Sequence, residues 1–192
     1  MEIQEKELVR SAQEGNKYAL AQIIKKYEKM VYNLGLKLLG TGDEAECVLQ
    51  DTFLKVLESI SNFKGQSQLS TWIYRIATNE ALMRLRKRKK QLLPFIAEDE
   101  EYKKDYSNIL HSFSDDPLNT LLTTELREKM QDSIEYLPPK YKSVFVLKDI
   151  EGLSLKEISS ILEISVPAVK SNLHRARLFL REQLGEYLDG KN

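Results

Sequence analysis

Residues 154–181 read SLKEISSILEISVPAVKSNLHRARLFLR, and their spacing decides how the rest of the chain is read. Ser154 followed three residues later by Glu157 is a capping-box pattern: the hydroxyl and the carboxylate each take a backbone N–H of the other's end of the first turn. It opens a short helix to Leu162. Glu163, Ile164 and Ser165 turn the chain. Pro167 suits the start of a longer helix reaching to about Leu188, because its missing N–H is not needed there. Along that helix Val169, Leu173, Ala176 and Leu180 form a stripe to be buried. Lys170, His174, Arg177 and Arg181 share another face, flanked by Ser171, Asn172 and Arg175. From Ile164 to Arg181 there are four basic residues and no acidic ones. A solvated face normally mixes signs, so a face of one sign points to a polyanion. Spacing alone fits an ordinary helical hairpin equally well. The charge favours a helix-turn-helix whose second helix enters a major groove, with Lys170, Ser171, Asn172, His174 and Arg175 reading bases and the other cations holding phosphates. His174 has no acid or nucleophile nearby in sequence, which favours contact over catalysis.

Helical periodicity extends upstream from this motif. A short helix ends near Gly15, a longer one spans about Lys17 to Leu39, and Gly40-Thr41-Gly42 breaks it. Asp43 is the expected N-cap of a third helix to about Ser59. A polar loop, 62–68, holds Gly65, and a fourth helix follows from Ser70 through the cations Arg84, Arg86, Lys87, Arg88, Lys89 and Lys90. These helices make a first domain, residues 1–92. Residues 93–116, with Glu98 to Glu101 and Asp115-Asp116, read as an acidic flexible linker. Residues 117–192 form the second domain: a helix from Pro117, capped by Asp116, to about Tyr136, a restart at Pro138-Pro139, a turn over Asp149 to Gly152, then the motif above. No strand pattern is evident, so the expected class is all-α with two small helical domains.

Bulk properties narrow the function. The chain has 192 residues, 42% hydrophobic and 30% charged, with a net charge of zero because the acidic linker offsets basic segments elsewhere. Cys47 is the single cysteine, so no internal disulfide can form, and the two histidines stand in no cluster of metal-ligand spacing. No metal, cofactor or catalytic group is expected. The charged N-terminus lacks a signal-peptide core, and no apolar run could span a bilayer, so the expected compartment is the cytoplasm.

Two helices of the first domain carry unusual faces. On the fourth, Leu69, Trp72, Ile73, Ile76, Ala77, Ala81 and Met83 fall on one apolar arc. Thr71, Arg75, Thr78, Asn79, Leu82 and Arg86 fall opposite and are expected to be exposed. With Phe63, Trp72 and Tyr74 close by, that face suits unstacked bases of a single strand; the competing reading is that Phe63 and Trp72 are ordinary core residues. On the third, Ala45, Val48, Leu49, Thr52, Phe53, Val56 and Leu57 form the expected buried stripe. Leu54 and Cys47 project the other way with Gln50, Asp51 and Glu58, a candidate partner-binding patch.

These segments resemble a known family. Residues 43–57, DEAECVLQDTFLKVL, resemble the part of sigma factors that grips the polymerase clamp. Residues 63–79, FKGQSQLSTWIYRIATN, are similar to the part that melts and reads the −10 element. Residues 137–147, LPPKYKSVFVL, and the motif through KSNLHRAR at 170–177 are similar to the domain that reads the −35 element. The resemblance covers nearly the whole chain outside the linker. With no further sigma domain between the two, it is to the extracytoplasmic-function (ECF) group of the sigma-70 family.

The resemblance implies a sigma factor that binds core RNA polymerase through the beta-prime clamp and beta flap and directs initiation, under an anti-sigma factor often bound to the membrane. It places polymerase binding on Cys47, Gln50, Asp51, Leu54 and Glu58. It places −10 DNA on Phe63, Lys64, Gln66, Ser67, Thr71, Trp72, Arg75, Asn79 and Arg86. It places −35 DNA on Pro167, Lys170, Ser171, Asn172, His174, Arg175 and Arg177. At 166–169 the chain has Val-Pro-Ala-Val where relatives commonly have Val-Gly-Thr-Val, and Asn172 stands for a frequent Arg, so the preferred −35 sequence does not carry over. A stand-alone helix-turn-helix regulator is the alternative, and it would need a dimerisation surface. An enzyme on nucleic acid would need a carboxylate or His/Cys cluster, and the nearest acids, Glu98 to Glu101, lie in the linker.

Overall fold

The computed structural model describes the backbone of residues 2–92 and 124–189, and the side chains of 4–88 and 130–185. The expected linker, Pro117 and its cap Asp116 lie outside the described residues. Eight α-helices are described: α1 (Glu2–Gln13), α2 (Lys17–Leu39), α3 (Gly42–Ser59), α4 (Leu69–Leu92), α5 (Thr124–Tyr136), α6 (Pro139–Phe145), α7 (Leu155–Leu162) and α8 (Val166–Asp189). A 3-10 turn, Ile60–Asn62, follows α3 and a π-helical turn, Val146–Ile150, follows α6.

In the first unit α2, α3 and α4 pack side by side, and α1 lies on α2. Asn16 caps α2 by accepting from the N–H groups of Tyr18 and Ala19 at 2.9 and 3.2 Å. The apolar spacing of α2 then places Ile23, Val31, Leu34 and Leu38 fully inside, each worth about 1.5–3 kcal/mol of burial. Gly35 sets the α2–α3 approach: a Cβ there would stand 3.1 Å from the Cα of Ala45. Across α3 and α4, buried Glu80 pairs with Lys55. The N-cap of α3 is Thr41, not Asp43. Asp43 and Glu44 instead occupy the first turn, where carboxylates meet the positive end of the helix dipole.

In the second unit α8 lies against α5, α6 and α7. Ile134, Leu137, Tyr141, Phe145, Ala176 and Leu180 form one cluster. Pro139 starts α6 as expected. The chain does not turn directly after it: α6 widens into the π turn, closed by Glu151 N–H donating to Val146 O at 2.9 Å, before Gly152 (φ 73°) reverses it. The capping box at Ser154 is present, and Glu163 (φ 55°) ends α7. The expected stripe of α8, Val169, Leu173, Ala176 and Leu180, is buried.

The two units close on one another. The core of the first continues through Val144, Val146, Leu147, Ile158, Ile161, Val169 and Leu173 of the second. Helix α7 lies along α4, with α6 beside it. Glu151, just past the π turn, accepts from Lys37 Nζ at 2.7 Å and from the Tyr74 hydroxyl at 2.8 Å. Burial, and then that bond to a carboxylate, push the Tyr74 phenol well above its usual range. Arg75 reaches Glu163 at 3.5 Å.

This closure corrects the expected outer face of α4. Thr71, Tyr74, Arg75, Thr78 and Leu82 share one face by helical spacing, and Tyr74 and Arg75 show it turned toward the second unit. Thr71, Thr78 and Leu82 are therefore buried, not exposed, and Arg75 is half-covered. Met83, expected inside, is exposed instead.

Candidate nucleic-acid and polymerase interfaces

Helix α8 presents the expected cationic side. Pro167, Lys170, Ser171, His174, Arg175 and Arg177 are exposed and Asn172 is half-buried. The cations are not equivalent. Arg175 donates from Nη1 to the Tyr141 hydroxyl at 3.1 Å, which fixes the direction of its stem. Arg177 grips Asp149 with two bonds, Nε to Oδ2 at 3.0 Å and Nη2 to Oδ1 at 2.6 Å. That pairing holds its guanidinium charged even more firmly than usual. It also ties α8 to the π turn, so Arg177 supports the fold as well as facing out.

Helix α3 turns Cys47, Gln50, Leu54 and Glu58 to solvent, with Leu54 56% exposed. Asp51 is half-buried and pairs with Arg84 of α4. Leu57, expected in the core, is 41% exposed and lies three residues from Leu54. The two leucines share a face and make the patch more apolar than the sequence reading allowed.

Around the 62–68 loop, Lys64 and Gln66 are exposed, while Phe63 and Ser67 are half-buried. Trp72 is buried in the core, its ring centroid 5.0 Å from that of Phe63 at a 42° tilt. This tilted pair walls the base of the loop. On α4 the strip left to solvent is Asn79, Met83 and Arg86. The basic run divides: Arg84 pairs with Asp51, and Arg88 reaches Glu44 at 3.5 Å and Leu39 O at 3.4 Å. Arg86 and Lys87 remain turned outward. Two of the four cations of this run whose side chains are described thus also lock α4 to α3.

Two helical units, one with an exposed α3 and loop surface, the other a helix-turn-helix with a cationic second helix, are the arrangement to be compared with known proteins. The family model described as "Sigma-70 region 2" matches residues 23–91, and "Sigma-70, region 4" matches 127–180. The ECF RNA polymerase sigma factor SigW of Bacillus subtilis is 37% identical over 187 residues, covering 96% of this chain and 98% of that protein. The ECF RNA polymerase sigma-E factor of Haemophilus influenzae is 32% identical over 179 residues, covering 92% and 93%. Among solved structures, CnrH in complex with the cytosolic domain of CnrY is similar with a TM-score of 0.66 at 21% identity, covering 95% of this chain and 97% of that one. The sigma factor RpoE of Bartonella quintana, in complex with the anti-sigma factor NepR, gives 0.60 at 22%, covering 86% and 96%. The chain belongs to the ECF sigma factors of the sigma-70 family. It is a sigma factor, acting with RNA polymerase in transcription initiation. Among the described residues no helix is long and apolar enough to cross a membrane, and no cluster of three or more His, Cys, Asp or Glu could hold a metal ion.

Proposed function

We propose that the chain divides promoter recognition between its units and reads both elements only when core polymerase holds them. The exposed α3 face, Cys47, Gln50, Leu54 and Glu58 together with Leu57 and the half-buried Asp51, grips the beta-prime clamp, and the second unit engages the beta flap. Helix α8 enters the duplex at −35 through Pro167, Lys170, Ser171, Asn172, His174, Arg175 and Arg177. The loop and the open strip of α4 take non-template bases at −10 through Phe63, Lys64, Gln66, Ser67, Asn79 and Arg86. Trp72 shapes the site from within. Thr71 and Arg75 join the surface once the second unit moves off α4. Removing a base from its stack costs a few kcal/mol, offset by these contacts and by the polymerase. The chain works in the cytoplasm under an anti-sigma factor anchored at the membrane.

The observation that carries this reading is the pairing of an apolar patch on α3 with a cationic face on α8 that bears no acid of its own between residues 164 and 181, on opposite members of a two-unit fold. Family membership supports it over a stand-alone helix-turn-helix regulator. The test is Leu54→Asp. Leu54 is exposed, so folding should be unchanged by circular dichroism, while affinity for core polymerase falls at least about tenfold, as for a central interface residue. Unchanged core affinity contradicts the proposal.

A further inference from the structure

The loop between the 3-10 turn and α4 makes few bonds within itself. Phe63 N–H donates to Ile60 O at 3.0 Å, Ser67 Oγ to Gln68 O at 3.3 Å and Ser70 Oγ to Gln68 Oε1 at 3.4 Å. Its firmest tether comes from the other end of the unit. Gln13, the last residue of α1, donates from Nε2 to Ile60 O at 3.0 Å and to Phe63 O at 2.8 Å. Only the nitrogen of a carboxamide can donate, and it carries two hydrogens, so both are committed to this one stretch of backbone.

The anchor is itself fixed. Glu5 of α1 accepts from the Tyr27 hydroxyl at 2.8 Å and pairs with Lys26, both on α2. The bond to Lys26, ahead of that to Tyr27, holds the Glu5 carboxyl below its usual range despite partial burial. Ala12 is buried beside Gln13. Between α1 and the loop lies a cavity of about 490 Å³ whose lining includes Lys6, Arg10, Gln13, Phe63, Lys64 and Gln66. Gln13 thus ties the near shoulder of the loop, at Ile60 and Phe63, to the α1 wall of that cavity.

We propose that Gln13 is a positioning residue for −10 reading: it presets the loop at 62–68 before DNA arrives, without touching DNA itself. The inference rests on the assignment of that loop to the −10 element. Its chemistry is specific to the donor. A carboxylate of the same shape has no hydrogen to give and would face two carbonyl oxygens, so Gln13→Glu should release the loop. Gln13→Met keeps the length and removes only the bonds.

The test is transcription by core polymerase with the full chain, on a promoter library randomised at both the −35 and −10 elements, with base preferences read from the transcripts. For Gln13→Glu and Gln13→Met the advantage of favoured over disfavoured −10 sequences should shrink about tenfold, the scale expected when two part-buried hydrogen bonds are lost. Preferences at −35 and affinity for core polymerase should stay at wild-type values. Retention of the −10 preferences by Gln13→Met overturns the inference. So does equal flattening at −10 and −35, which marks a general loss of stability. A wild-type chain without −10 preference overturns the loop assignment itself, and the role of Gln13 with it.

Discussion

At Gly40 the backbone turns left-handed, φ 85°, so that its N–H can close on Leu36 O at 2.8 Å and end α2. A side chain there is strained by that φ alone. It would also run into the carboxylate of Glu135, which reaches over from the second unit. Gly40→Ala should therefore lower stability by at least about 1 kcal/mol, seen as a lower denaturant midpoint at unchanged slope. An unchanged midpoint would show that both the turn and Glu135 adjust freely. The local half of this was legible: Gly40-Thr41-Gly42 reads as a break because no helix former is present. The contact with Glu135 was not, since periodicity reports which face is buried and not which distant element buries it. Leu82 and Met83 show the same limit. They are adjacent in the chain and roughly 100° apart on α4, and which one is covered depends on where the second unit lands.

For whole elements the reading fared better where the signal was local. The two helices of residues 154–181, the capping box, the turn at Glu163 and the buried stripe of α8 all follow from short-range spacing, and the structure places them there. The π turn after α6 left no such trace, because Val146 to Ile150 reads as ordinary helix followed by a turn. Yet it sets Asp149 against Arg177 and Glu151 against Lys37 and Tyr74. Helix α4 was read as two-faced, whereas it meets three surroundings: α2 and α3, the second unit, and solvent.

The capping box gives the test at this scale. Ser154 Oγ accepts from Glu157 N–H at 3.2 Å and Glu157 Oε2 from Ser154 N–H at 2.8 Å. The Ser154 side chain, and then the Ser154 backbone N–H, hydrogen-bond the Glu157 carboxylate and hold it below its usual range. A lowered folded-state value means a contribution present above the unfolded pKa and lost as pH falls through the folded one. Ser154→Ala should cost about 1 kcal/mol near neutral pH and less in acid, read by unfolding at the two pH values. An equal cost at both would show that the Ser154 hydroxyl does not act through the carboxylate.

For the molecule as a whole, the consequence of closure is that a face assigned to DNA lies against the second unit. Thr71 and Thr78 are buried there, and the Lys37–Glu151–Tyr74 group spans the boundary. If polymerase works by parting the units, holding them together should silence the chain. In a Cys47→Ser background, Lys37→Cys and Glu151→Cys joined by a reducible cross-linker should cut promoter-dependent transcription at least about tenfold, with recovery on reduction. Full activity in the bridged state would show that −10 reading needs no opening. That the units meet at all was outside the reach of the sequence, which described each by its own periodicity and carried no signal for the other.

The most direct measurement is transcription by purified core polymerase on genomic DNA, with and without the chain, with start sites mapped. Addition of the chain should produce a new set of starts sharing one −35 and one −10 sequence at a fixed spacing. Lys170→Ala, Ser171→Ala and Arg175→Ala together should erase the −35 sequence from that set while core binding persists. Start sites unchanged by the chain, or a shared −35 sequence that survives the triple variant, would contradict the account.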